Sequence, residues 1–111
     1  MLRSAHIDFK TVISNKPISR DKTFVVYCSQ NKQEKCRLGV SIPKAIIKNA
    51  TERNKLKRIA RHSLFSLNEK AIDIVIVYRG TANKYDDKLI SNSLEFHKKN
   101  IIKITDEKWK I

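Results

Sequence analysis

Apolar residues divide the chain into segments of distinct period. Between Ala5 and Ser14 the positions Ile7, Phe9, Val12 and Ile13 suit a short helix, which Asn15, Lys16 and Pro17 end. From Lys22 to Gln30 the chain is rich in β-branched and aromatic residues, and Arg37 to Ile42 resumes that character after the polar stretch Asn31 to Lys35. The two runs read as an antiparallel hairpin. Alternation places Phe24, Val26 and Cys28 on one face with Leu38, Val40 and Ile42, and turns Val25, Tyr27, Gly39 and Ser41 to the other. The first face is core. The second either floors a shallow groove beside the first helix or is covered by a helix outright.

Asn49, followed three residues later by Glu52, forms a capping pair. No Gly or Pro interrupts the stretch after it, so a helix is expected as far as about Leu67, with Asn68 as its stop. Ile72 to Tyr78 is an almost continuous apolar run, as a strand buried on both faces requires, and Gly80 breaks it. A last helix from about Tyr85 to Asn100 aligns Leu89, Ile90, Leu94, His97 and Ile101 along one side, and a polar tail carrying Trp109 follows from about residue 105. The expected fold is a single α+β domain over residues 1–111. It is a two-layer sandwich of about four strands and three helices in the order α-β-β-β-α-β-α.

Charge narrows the function. The 111 residues hold 24 Lys and Arg against 11 Asp and Glu, a formal net charge of +13. That balance attracts polyanions. A membrane partner is disfavoured by the lack of an 18-residue apolar run and a mean hydropathy of −0.47. Met1 to Lys10 holds no apolar stretch of signal-peptide length, so a cytoplasmic protein is expected. Cys28 and Cys36 lack zinc-site spacing. In a reducing compartment they read as two free, partly buried thiols.

The densest chemistry lies on the helix after Asn49. At about 100° per residue, Leu56, Ile59, Ala60, Ser63, Leu64 and Leu67 gather into one arc that packs on the sheet. Arg53, Lys57 and Arg61 recur every four residues along one edge, and Asn54, Lys55 and Arg58 continue round the outward face, with no acid after Glu52. A surface selected only for stability would interleave Glu among these cations. A polyanion accounts for them: Arg forks onto phosphate, Lys adds a compact charge, and Asn can meet a sugar or base edge.

Arg53-Asn54-Lys55-Leu56-Lys57-Arg58 strongly resembles the signature helix of the bacterial ribonuclease P protein family, and Arg37 to Lys44 is similar to the strand and turn leading into it. Asp8 to Val12, Phe24 to Tyr27, Asp73 to Arg79 and Leu89 to Lys99 resemble further parts of that family in the same order. The resemblance implies a ribosomal protein S5 domain 2-like fold with a left-handed crossover at the signature helix. It implies a protein that carries no catalytic residue of its own and joins one catalytic RNA as a monomer in a 1:1 complex. Magnesium is then held mainly by the RNA, and the holoenzyme matures the 5′ end of tRNA. At matching positions the RNA subunit would meet Lys44, Arg53, Asn54, Lys55, Lys57, Arg58 and Arg61. The single-stranded 5′ leader of precursor tRNA would enter a cleft formed by Phe9, Val25, Tyr27 and Ser41, where an aromatic can stack on an unpaired base without choosing it. Lys55 stands where the signature usually has Arg, Ile13 where a second cleft aromatic is common, and Pro43 removes a backbone donor before the helix.

Other readings are weaker. His6, His62 and His97 lie on three expected helices without an acid–base partner spacing, which disfavours an autonomous nuclease. Asp73 is expected at a strand margin, and Asp86 and Asp87 at the start of the last helix, rather than as a metal pair. A structural RNA-binding protein of ribosomal type shares the charge and fold class, but it has no need of an exposed Phe9, Val25 and Tyr27 surface. A DNA-binding helix-turn-helix would require two adjacent short helices.

Overall fold

In the computed structural model, which describes residues 9–14, 16–31, 35–80 and 87–108, four strands form one mixed sheet. Helix α1 (Phe9–Ile13) precedes the short strand β1 (Ser19–Arg20), β2 (Phe24–Gln30) and β3 (Arg37–Ser41). Then come α2 (Ala50–Ser63), one 3₁₀ turn (Phe65–Leu67), β4 (Ile72–Tyr78) and α3 (Asp87–Lys108). The element order matches the expected one. Expectations for residues 5–8, the 32–34 loop, Tyr85, Asp86 and Trp109 fall outside the described residues.

The strand order is β1-β2-β4-β3, which corrects the expected hairpin: β2 and β3 run in opposite directions but do not pair. Instead β4 lies between them, antiparallel to β2 with Tyr27 opposite Val75, and parallel to β3 with Gly39 opposite Val75. The cause is β4 itself. Ile74 and Ile76 point to one face and Val75 to the other, all fully buried, so this strand gains most from the central position. β2 and β3 are thereby held two strand spacings apart, roughly 10 Å, farther than a tight turn spans.

One face of the sheet carries the main core. Phe24, Val26, Cys28, Leu38, Val40 and Ile42 meet Leu56 and Ala60 of α2, Leu64 at its C-terminal cap, and Ile90, Leu94 and Ile101 of α3. Helix α2 packs beside β3, and α3 beside β1 and β2. On the opposite face α1 lies across β2 and β4. Phe24 and Tyr78 meet edge-on with ring centroids 5.6 Å apart. A Cβ at Gly80, two residues past the end of β4, would collide with the Tyr78 ring, so a larger residue there would force that ring to move.

Two expectations for α3 are corrected. The helix continues to Lys108, two turns past Asn100, because Thr105 is buried, its hydroxyl donates to Ile101 O at 2.8 Å, and Asp106 meets Lys70 at 3.0 Å. Residues 105–108 are therefore helix rather than tail. Leu89 is exposed, since it lies about 100° round the helix from Ile90, outside the arc of Ile90, Leu94, His97 and Ile101.

Candidate nucleic-acid interface

Helix α2 starts from a built entry. Pro43 O accepts from the N–H groups of Ile46 and Ile47, closing a turn that leaves Lys44 exposed. Asn49, in extended conformation, caps the helix: its side-chain oxygen accepts from Thr51 N at 2.8 Å and Glu52 N at 3.4 Å. Arg53 reaches back and donates from Nη1 to Ile47 O at 2.8 Å and Lys48 O at 2.9 Å. Its guanidinium therefore ties the turn to the helix, and both bonds use one nitrogen.

Beyond Arg53 the helix separates its charges by flank. With Leu56, Ala60 and Leu64 inward, Lys57, Arg61, Asn54 and Arg58 follow one another round the side away from α3. Asn54 and Arg58 are exposed, while Lys57 and Arg61 bury part of their stems beside the core and send the charge outward. Lys55 belongs to the other flank, where it meets Asp87 of α3 at 3.3 Å. The expected outward face thus loses Lys55, because at about 160° from Lys57 it faces α3. Among the described residues no carboxylate pairs with Lys57, Arg58 or Arg61. Ion pairs join Asp73 to Arg37, Asp87 to Lys55, Asp106 to Lys70 and Glu95 to Lys98.

The second predicted surface lies on the sheet face that carries α1. Val25 is 1% exposed and forms a covered floor, not an open contact, because α1 crosses β2 there and Val12 is buried with it. Tyr27 and Ser41 are half-buried, and so is Val77, the neighbour that β4 places between Val25 and Ser41. Both readings of this face therefore hold in part: α1 covers its middle and leaves a margin open. The side chain of Phe9 lies outside the described residues. Ile13 is 39% exposed at the end of α1.

One row along the same face, Arg37 forks onto Asp73, with Nε and Nη2 each 2.7 Å from a carboxylate oxygen, and Asn31 donates to the same carboxylate at 2.8 Å. Asp73 is buried in β4, which explains its three donors. The pairing joins residues 36 apart through the β3–β4 register, and the only sequence signal for it was one acid inside an apolar strand.

Sequence reasoning also missed a polar cluster where α3 meets β1. His97 is fully buried; Ser19 Oγ lies 2.6 Å from its Nδ1, and Asn100 donates to Ser19 Oγ at 2.9 Å. Ser93 donates to Asp21 Oδ2 at 2.6 Å, and the N–H groups of Thr23 and Phe24 both donate to Oδ1 at 2.8 Å. His97 Nε2 is 3.1 Å from the same Oδ1 but is not aimed to hydrogen-bond it. Burial acts to raise the Asp21 pKa, yet these donors outweigh it and hold the carboxyl below its usual value. Cys28 and Cys36 are free and buried. Burial above all pushes both thiols up to about 12, which makes them inert.

Among the described residues no three His, Cys, Asp or Glu side chains are grouped to hold a metal ion, and no helix is long and apolar enough to cross a membrane. Fold and surface define a strongly basic α+β sandwich in which one flank of a capped helix, joining two parallel strands, carries a row of cations that meets no carboxylate among the described residues. A profile of the Ribonuclease P family matches residues 2–101. The ribonuclease P protein component of Staphylococcus aureus strain Mu3 is 35% identical over 107 residues, covering 93% of this chain and 90% of that protein. That of Mesoplasma florum is 31% identical, covering 89% and 86%. The solved RNase P protein of S. aureus superposes with a TM-score of 0.72 at 33% identity, covering 86% of this chain and 89% of that one. The chain belongs to the ribonuclease P protein family.

Proposed function

We propose that this protein is the RNA-binding subunit of a ribonuclease P, joining one catalytic RNA through α2 and the turn before it and assisting 5′ maturation of tRNA. The observation that carries the reading is the α2 flank of Asn54, Lys57, Arg58 and Arg61, a rigid cationic strip with no carboxylate partner among the described residues. Such a strip is unfavourable in isolation and becomes favourable when phosphates replace the absent acids. Lys44 extends the strip onto the turn, and Arg53 holds turn and helix in fixed relation.

The margin beside α1 favours a processing role over a purely structural ribosomal one. Half-buried Tyr27, one row along the face from half-buried Val77 and Ser41, offers a ring edge and a hydroxyl to an extended single strand, as a precursor's 5′ leader would require. Phe9 remains a proposed member of this cleft, and Val25 supports it from beneath. Catalysis is assigned to the RNA, whose magnesium ions would activate water and stabilise the leaving oxygen. The reading implies a cytoplasmic protein acting as a monomer with one RNA.

The test is reconstitution. Adding the purified chain to a bacterial ribonuclease P RNA at low magnesium should restore 5′ processing of precursor tRNA, whereas the chain alone should leave the precursor intact. Processing that is unchanged by the protein would remove this function.

A further inference from the structure

Where α2 ends beside α3, the seam between the two helices opens into a groove of about 490 Å3, lined in part by His62, Phe65, Ser91, Glu95 and Lys98. That volume falls within the range of ligand pockets, roughly 300–1,000 Å3. Phe65, on the 3₁₀ turn that ends α2, is 50% exposed, so the groove presents an aromatic surface to solvent. Above it α3 places one acid and one cation, Glu95 and Lys98, joined by a loose contact of 3.3 Å. An exposed pair of this kind is worth little and opens easily.

This chemistry suits a base better than a phosphate. An aromatic face stacks on any nucleobase, and a carboxylate accepts from base N–H groups while repelling the backbone. Of the four bases, guanine offers two adjacent donors on its Watson–Crick edge, which a carboxylate can accept together. Lys98 can then turn to a flanking phosphate. His62, on the groove's rim, follows Arg58 by one turn of α2, so a strand that leaves the strip at Arg58 meets the groove next. We infer that the α2–α3 groove takes one unpaired guanine of an RNA strand that runs along α2, with Phe65 as its stacking platform and Glu95 as its reader. This rests on the reading of α2 as an RNA-binding helix.

The test uses the full-length, 15N-labelled chain with two pentaribonucleotides, five uridines or four uridines around a central guanosine, followed by amide chemical shifts. The guanosine probe should move His62, Phe65 and Glu95 and bind more tightly than the uridine probe. Phe65→Leu, which keeps an apolar side chain, should weaken that binding about tenfold. Glu95→Gln should abolish the preference for guanosine. Equal shifts at the groove for both probes would overturn the inference, as would a groove that titrates on dilution without RNA, the mark of a second copy of this chain seated there. Shifts confined to Lys57, Arg58 and Arg61 would also overturn it while leaving the RNA-binding reading intact. No shifts anywhere would remove both.

Discussion

Tyr27 and Val25 stand two residues apart on one strand face, yet their surroundings give them different tasks. Alternation put both on the outward face, and there the sequence was a sound guide. It could not decide which of them α1 would cover, because coverage depends on where a separate element crosses the sheet. Val25 is sealed and Tyr27 is not, so the two substitutions should separate. Tyr27→Ala should reduce affinity for leader-bearing precursor tRNA by about an order of magnitude, the loss expected for one base stack, and leave mature tRNA unaffected. Val25→Ala should instead lower stability, with no preference between the two RNAs. Filter binding of both substrates to the reconstituted holoenzyme checks this; equal losses for Tyr27→Ala would remove it from the leader cleft. Asp21 supplies a second prediction at this scale. Its folded-state pKa lies below the unfolded value of about 3.9, so its donors stabilise the fold fully above that pH. The contribution falls away as pH drops through the depressed folded value. Asp21→Asn should therefore be less stable than the parent at neutral pH and show a smaller further loss below about pH 4, measured as urea midpoints across that range.

Helix α2 and the sheet differ in how far neighbouring residues determine them. The cap at Asn49, the inward arc and the cationic flank all arise within one or two turns, which is why spacing alone located them. Even so, spacing gave Arg53 to the cationic edge and Lys55 to the outward face, whereas Arg53 closes on carbonyls of the preceding turn and Lys55 on an acid of α3. Neither partner lay in the helix's own pattern. Strand pairing was less legible still. β2 and β3 are consecutive and each looks like half of a hairpin, but the choice between pairing with each other or with β4 is made by β4, some thirty residues later in the chain. The double-faced apolar run from Ile72 to Tyr78 was the available signal that a strand would sit centrally. Because the α2 cap is local, its removal should have a local cost: Asn49→Ala is expected to lower unfolding free energy by about 1 kcal/mol. Chemical denaturation measures it. No change would mean that the Arg53 clamp alone fixes the helix entry.

Across the whole molecule, a net charge of +13 includes exposed cations on many elements, and the placement of the acids decides which of them are paired. Asp87, Glu95 and Asp106 on α3 pair with Lys55, Lys98 and Lys70, and Asp73 on the sheet pairs with Arg37. These contacts neutralise individual cations on the α3 side and beside the cleft, Lys55 among them, whereas Lys57, Arg58 and Arg61 on the far flank of α2 meet no carboxylate among the described residues. If that flank binds phosphates, each cation in contact releases counterions, and log affinity for the RNA subunit should fall linearly with log salt. Lys57→Ala and Arg61→Ala should each flatten that slope by about one unit and weaken assembly. Lys55→Ala removes the same formal charge from the same helix but faces Asp87, so its slope should stay close to the parent's. Net charge alone predicts three equal effects, whereas the arrangement of acids predicts two large and one small. Titration of assembly across potassium chloride concentrations distinguishes them, and equal slopes in all three variants would mean that the RNA senses the overall field of the protein rather than this flank of α2.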